Sequence, residues 1–271
     1  MLPTTPFPAS ALGLADPRSW PLAGAVPPAP RLAIVGSRAA LRRVLAVIPA
    51  IVEAAANLGY ALVSGGARGV DRAVHAAALA IGAPQLAVLP CGPDVFYPPE
   101  HAALFTAIHA APRSGVLFAL APGTTPARSV FASRNTIVLD ACAAVLVAQA
   151  NLRSGSWSTG RLALRRGLRT AALASSPGCA DLIASGAHSL ALHDDPAATA
   201  RAVATWLSGQ AIRSAWPADL AWLHAAFLAA GPRGLGVDDL PDPQAACAAL
   251  LIAELRGLVA ESLPGRYHAI A

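Results

Sequence analysis

Short apolar runs alternate with longer stretches whose apolar positions return every three or four residues, and this rhythm holds from Arg31 to about Leu190. The runs Leu32–Val35, Ala61–Val63, Gln85–Leu89, Val116–Leu120, Ala144–Ala148 and Thr170–Leu173 predict buried parallel strands. The stretches Leu41–Leu58, Val70–Ile81 and Ser158–Arg166 predict amphipathic helices, and a further helix is expected from Arg128 to Cys142, behind the Pro/Gly loop Pro122–Pro126. Parallel strands need crossovers, so the pattern predicts an α/β fold: a Rossmann-like, doubly wound, mostly parallel sheet with helices on both faces. After Leu190 the pattern becomes helical over Pro196–Ser208, Pro217–Ala230 and Pro243–Gly257, then ends in a hairpin around Pro264-Gly265. Helices followed by a hairpin predict a small C-terminal winged-helix-like domain. Residues 1 to 30, rich in Pro and Ala without periodicity, read as a loosely ordered arm, which gives domains at 1–30, 31–210 and 211–271.

Composition narrows the setting. Of 271 residues 55% are hydrophobic, but the longest uncharged candidate for a membrane span, Ala73 to Pro93, is cut by Gly82-Ala83-Pro84. The N-terminal stretch has no basic residue ahead of its apolar part and carries prolines at 3, 6 and 8, unlike a secretory signal. A cytoplasmic protein without membrane contact is expected. The four cysteines, Cys91, Cys142, Cys179 and Cys247, lie far apart, which predicts neither disulfides nor a metal site.

Charge is divided unevenly. Residues 31–190 carry fourteen arginines against six acids, a net of +8, whereas residues 191–271 carry five against eight, a net of −3. The first segment suits a polyanion. Every basic residue is arginine, the better bidentate phosphate ligand.

In a parallel sheet, ligands bind beyond the carboxyl ends of the strands, where helix N-termini present free amides. Three segments fall at such ends: Gly36-Ser37-Arg38; Ser64-Gly65-Gly66-Ala67-Arg68-Gly69-Val70-Asp71; and Ser154-Gly155-Ser156 with Thr159. They must open on one edge, and amides, hydroxyls and arginines converging there fit phosphate. The helix containing Arg134 and Asn135 starts near the same edge and adds a third arginine. Arg38, Arg68 and Arg134 are therefore the expected phosphate ligands, against the alternative that one of them pairs with a carboxylate such as Asp71. Asp71 is expected to brace the glycine turn, and His75 to sit in the core. Trp157 and Phe96-Tyr97 are candidates for stacking on bases, with packing the preferred reading. There is no GxxxxGK[ST] loop and no GxGxxG after the first strand, so neither that type of nucleotide hydrolysis nor a dinucleotide cofactor is expected. No catalytic residue, metal or cofactor is assigned.

The ordered set of Gly36-Ser-Arg38, Ser64 to Asp71 with Ala73 and His75, Tyr97-Pro98, Phe131 to Asn135, Ser154-Gly-Ser156 with Thr159, and Leu182-Ile183 with Gly186-Ala187 resembles the DNA processing protein A (DprA, or Smf) family over about residues 31–190. The resemblance implies a homodimer that binds single-stranded DNA, protects incoming strands in natural transformation and helps load the RecA recombinase. It also implies a terminal winged helix, matched by Leu250–Val259 and Gly265-Arg-Tyr267. The chain departs from the family pattern where Thr136 replaces the second arginine of RNR, Gln149 replaces an acid and Ala180 replaces asparagine, and the helical N-terminal domain of many members is not seen. The competing expectation is a Rossmann-like nucleotide sensor or nucleotide hydrolase of a related family. Its PGGxGTxxE loop has only Pro122-Gly-Thr-Thr125 as a counterpart.

Overall fold

The computed structural model describes residues 2–8, 19–124, 128–209, 220–230, 235–242, 245–247, 249–250, 259–263 and 266–269. The chain divides into two compact units, Met1–Leu207 and Ser208–Ala271.

Among the described residues of the first unit, nine strands form one sheet: β1 (Thr5–Pro8), β2 (Ser19–Gly24), β3 (Arg31–Gly36), β4 (Ala61–Ser64), β5 (Gln85–Leu89), β6 (Gly115–Phe118), β7 (Ala144–Gln149), β8 (Arg169–Leu173) and β9 (His188–Leu190). Their spatial order is β1-β2-β6-β5-β4-β3-β7-β8-β9. β3 to β9 are parallel, and β2 and β1 add antiparallel beside β6. Central strands that are apolar at every position must be covered on both faces. On one face α1 (Arg42–Asn57), α2 (Val70–Ala80) and α7 (Pro196–Leu207) pack over Leu32, Ile34, Leu62, Leu146 and Leu173. On the other, α4 (Arg128–Asp140), α5 (Gly155–Arg165) and α6 (Pro177–Ala184) cover Ala33, Val35, Val63, Val145 and Val147. A smaller cluster joins Phe105 and Ile108 of α3 (Ala102–Ala110) to Leu89 and Phe118. Each aliphatic or aromatic side chain so buried stabilises the fold by roughly 1.5–3 kcal/mol before ordering costs.

Strand order creates the crevice. The chain lays β4, β5 and β6 successively to one side of β3, then returns to place β7, β8 and β9 on the other. From the adjacent ends of β3 and β7 one connection leads to α1 on the first face and the other to α5 on the second, so the two loops diverge and leave a gap.

The N-terminal region corrects the sequence expectation. Residues 5–8 and 19–24 are sheet strands, not part of a loose arm. Trp20 and Leu22 alternate into the core, while Pro6 lies opposite Pro21 in the register. A ladder position without N–H groups is tolerated only near a sheet edge, and this masks the strand signal in the sequence. The expected run Val116–Leu120 ends at Phe118, and β9, α3 and α6 are elements the periodicity did not announce.

In the second unit α8 (Ala221–Ala230) buries Leu223 and Phe227 with Leu235, Leu240 and Leu250. β10 (Leu235–Gly236), β12 (Arg266–Ala269) and β11 (Val259–Leu263) form an antiparallel sheet in that order. Pro264, Gly265 and most of the expected helix Pro243–Gly257 lie outside the described residues. Among the described residues no helix is long and apolar enough to cross a membrane.

Candidate functional site

A cavity of about 440 Å³ occupies the gap between β3 and β7. Gly36, Ser37 and Arg38 line it from the loop after β3; Arg134 and Asn135 line it from α4; Ser154, Gly155 and Thr159 line it from the start of α5. Eight of the thirteen expected site residues thus share one cavity. Hydrogen bonds hold the two loops in place. The Leu41 N–H at the head of α1 donates to Gln149 Oε1 at 2.9 Å, so a carboxamide accepts at the position where the family pattern has an acid. The Ala150 N–H donates to Ser176 Oγ at 3.0 Å, and the Gly178 N–H donates to the Ala150 carbonyl at 2.9 Å.

Arg134 dominates the electrostatics. It is 6% exposed, its Nε has no hydrogen-bond partner, and it forms no ion pair among the described residues. Burial pushes its guanidinium below the usual arginine value, the nearby Asp71 carboxylate opposes that shift, and Arg38 adds to it. Room for the guanidinium exists because Gly65 has no side chain: a Cβ there would overlap it. Arg38 lies with Cζ 5.0 Å from the centroid of the Phe131 ring. Phe131 in turn meets Tyr97 edge to face at 5.8 Å. Phe131, Asn151, Ser156 and Asp71 also line the cavity. Phe131 stands in the sequence motif without an assigned role, and Asn151 is not among the expected site residues although it is legible as the second residue after β7.

Five expected site residues do not reach the cavity, and the glycine turn explains why. Ser64 is buried and its hydroxyl donates to the Ile34 carbonyl at 2.7 Å. Gly66 (φ +70°) packs against Leu89 and Phe105, and its carbonyl meets His101 Nδ1 at 3.0 Å. Gly69 (φ +73°) lies against the backbone of Ser37 and Arg38, so that the Val70 N–H donates to the Ser37 carbonyl at 3.2 Å. The turn therefore braces the first loop from behind and meets the cavity only through Ala67 and Asp71. Asp71 completes it by accepting the Ala67 N–H at 3.2 Å, as expected of a bracing carboxylate. Gly65 acts from behind by admitting Arg134. Arg68 points elsewhere, 64% exposed and paired with Glu100 rather than Asp71.

At the start of α5 the Ser154 Oγ accepts the Trp157 N–H at 3.3 Å and caps the helix. The Ser154 carbonyl takes the Ser158 N–H at 2.9 Å, which leaves the Gly155 and Ser156 amides facing outward from the first turn. The hydroxyl of Thr159 is spent on the Gly155 carbonyl at 2.9 Å. Trp157 does not serve as a free stacking surface: its Nε1 donates to Asp181 at 2.7 Å, and Arg161 lies 5.5 Å from its ring. Phe96 packs on Phe105. His75 is buried against Gln85. Burial pushes the Cys91 thiol up to about 11, so it is no thiolate nucleophile at neutral pH. Among the described residues no three His, Cys, Asp or Glu side chains are placed to hold a metal ion.

Comparison with known proteins agrees with this architecture. Residues 22–200 match the model of the family described as DNA recombination-mediator protein A. A DprA protein of Mycobacterium tuberculosis is 39% identical over 175 residues, 62% of this chain and 44% of that protein. DNA processing protein DprA of Streptococcus pneumoniae is 36% identical over 167 residues, 58% of this chain and 57% of that protein. The chain thus spans about half the length of these relatives. The solved S. pneumoniae DprA superposes with a TM-score of 0.62 at 30% identity, covering 72% of each chain. The Helicobacter pylori DNA processing protein A, whose structure describes its single-stranded DNA binding mode, superposes with a TM-score of 0.63 at 24% identity, over 76% of this chain and 97% of that one. A family match over more than half of the chain, on the sheet that builds the cavity, establishes that this chain belongs to the DNA recombination-mediator protein A family.

Proposed function

We propose that the cavity between β3 and β7 binds the backbone of single-stranded DNA, with a phosphate held by Arg38, Arg134 and the first amides of α5, and that the chain is a non-catalytic recombination mediator. Arg134 carries this reading. A buried guanidinium with an unpartnered Nε is costly until an anion reaches it, and Arg38 and a helix N-terminus face the same space. A recess between two loops admits the flexible backbone of a single strand more readily than a stiff duplex, and the adjoining Phe131 supplies an aromatic for a base. The H. pylori protein of the same fold is described as binding single-stranded DNA. Arg68, exposed beside the glycine turn, serves the strand outside the cavity, where a phosphate displaces Glu100 from a surface ion pair of little net value. The reading extends to a cytoplasmic homodimer that protects incoming strands and passes them to RecA, with the acidic C-terminal segment as a winged-helix-like protein contact.

Anisotropy titrations with labelled oligothymidylate and a matching duplex at two salt concentrations test it. The single strand is expected to bind more tightly, with a log–log salt slope of about −0.7 per neutralised phosphate, and Arg38→Ala should make that slope shallower by about 0.7. Equal affinity for strand and duplex, or an unchanged slope in the variant, overturns the assignment.

A further inference from the structure

The cavity floor offers more positive charge than an internal DNA phosphate uses. Arg38, Arg134 and the N-terminal end of α5 face it, and Asp71 is the one carboxylate among the described residues that line it. Counting the helix end as about half a charge, the lining is positive by roughly 1.5. A phosphodiester brings a single negative charge, whereas a phosphomonoester brings about 1.5 to 2 at pH 7.

The donors point the same way. Arg134 Nε is buried without a partner. The Trp157 and Ser158 amides are spent on Ser154, leaving those of Gly155 and Ser156 for a ligand. Arg38 touches the Phe131 ring and no carboxylate among the described residues. These groups come from the β3 loop, α4 and α5, so they approach from different sides. An internal phosphate has two free oxygens and must lead two ester oxygens back out of a recess. A terminal phosphate has three free oxygens and leads out one. The volume, about 440 Å³, lies within the range of about 300–1,000 Å³ typical of small-molecule sites.

We propose that the cavity is a phosphomonoester site, which takes the terminal phosphate of a DNA strand, or that of a free nucleoside monophosphate, in preference to an internal phosphodiester. The strand-end arm rests on the assignment of the cavity to DNA. A strand anchored by its end then runs outward past Arg68.

The test compares oligothymidylates of about 15 nucleotides, near the upper site size of one binding module, carrying a phosphate or a hydroxyl at the 5′ end, and at the 3′ end in a second pair, each labelled at the opposite end. Calorimetry with thymidine 5′-monophosphate and with thymidine runs in parallel. One phosphorylated end is expected to bind about tenfold tighter than its hydroxyl counterpart, as an added charge-assisted contact allows. The advantage should vanish in Arg134→Met and, independently of how that variant folds, in the surface variant Arg38→Ala. A response of the strands assigns the site to DNA ends, and a response to the monophosphate over thymidine assigns it to free nucleotides; either supports the proposal. Equal binding of all strands with no binding of the monophosphate overturns the proposal and leaves the DNA reading standing. Binding of the monophosphate with no strand bound supports the site and overturns the DNA reading. No binding at all overturns both.

Discussion

Arg134 loses most of its hydration and regains only part of it from the field of Asp71. Replacing a buried ion that lacks a partner by an apolar chain of similar length removes a cost rather than a support. Arg134→Met is therefore expected to be neutral or to stabilise by about 1–2 kcal/mol in urea unfolding, while single-strand affinity drops. A loss of stability instead would mean that Arg134 serves the fold. Two glycines make a contrasting pair. Gly69 has φ +73°, and a Cβ there would come within 2.8 Å of the Arg38 carbonyl carbon, so Gly69→Ala should destabilise by about 1–3 kcal/mol and loosen the first loop. Gly155 lines the cavity, and a Cβ there meets nothing within 4 Å. Gly155→Ala should leave the unfolding midpoint unchanged or slightly raised, yet weaken binding in the same titrations. From sequence alone the two are both loop glycines after strands. What separates them is the neighbouring backbone, which belongs to a segment some thirty residues away in one case and is missing in the other.

The start of α5 lies one turn earlier than the periodicity predicts, at Gly155 rather than Ser158, because the Ser154 side chain caps it. Ser154→Ala should cost about 1 kcal/mol of stability and, because it releases the Trp157 amide and lets the first turn fray, should also lower strand affinity. If affinity were unchanged, the helix end would not be part of the site. The glycine turn between β4 and α2 reads differently. Its composition suggests phosphate contact, but Gly66 and Gly69 adopt their positive φ values to bring the turn against Phe105 and the β3 loop. The element supports the site from behind. Its one arginine is turned toward Glu100, in a turn whose approach depends on the packing of α3. Nothing near Arg68 in sequence announces that partner.

Histidine burial couples the whole fold to pH. His75 is enclosed between α2 and β5, with Nδ1 2.7 Å from Gln85 Oε1 and Nε2 buried without a partner. Burial lowers its pKa below the usual 6.5; the Gln85 hydrogen bond and Asp71 oppose this, and His101 adds to it. His188 is lowered too, by burial and then by Arg169. A histidine with a depressed native pKa binds fewer protons folded than unfolded once pH falls below about 6.5, so its contribution is present above that value and lost below it. Urea unfolding of the wild type should lose stability from pH 7 to pH 5, by at most about 1.4 kcal/mol per unit per group, and His75→Gln should flatten the slope. A wild-type profile already flat over that window would show that His75 takes up its proton in the folded state.

Composition and spacing were enough for the parallel sheet, for most crossover helices and for an edge where arginines, glycines and hydroxyls gather, because apolar runs, helical periodicity and the excess of arginine are properties of neighbouring residues. They also limited the candidate ligands to a few short segments. Which of those segments meet was settled by strand order: the return of the chain past β3 brings the start of α5 to the cavity with Arg38, while the glycine turn sends only Ala67 and Asp71 there and keeps its arginine outside. The edge strand β1 and its neighbour β2 escaped because their prolines erase the local signal, while the pairing of β2 with β6 supplies the burial. Arg134 looks like any helical arginine until Gly65, sixty-nine positions earlier, is seen to leave it a pocket, and a long-range vacancy of that kind has no local signature.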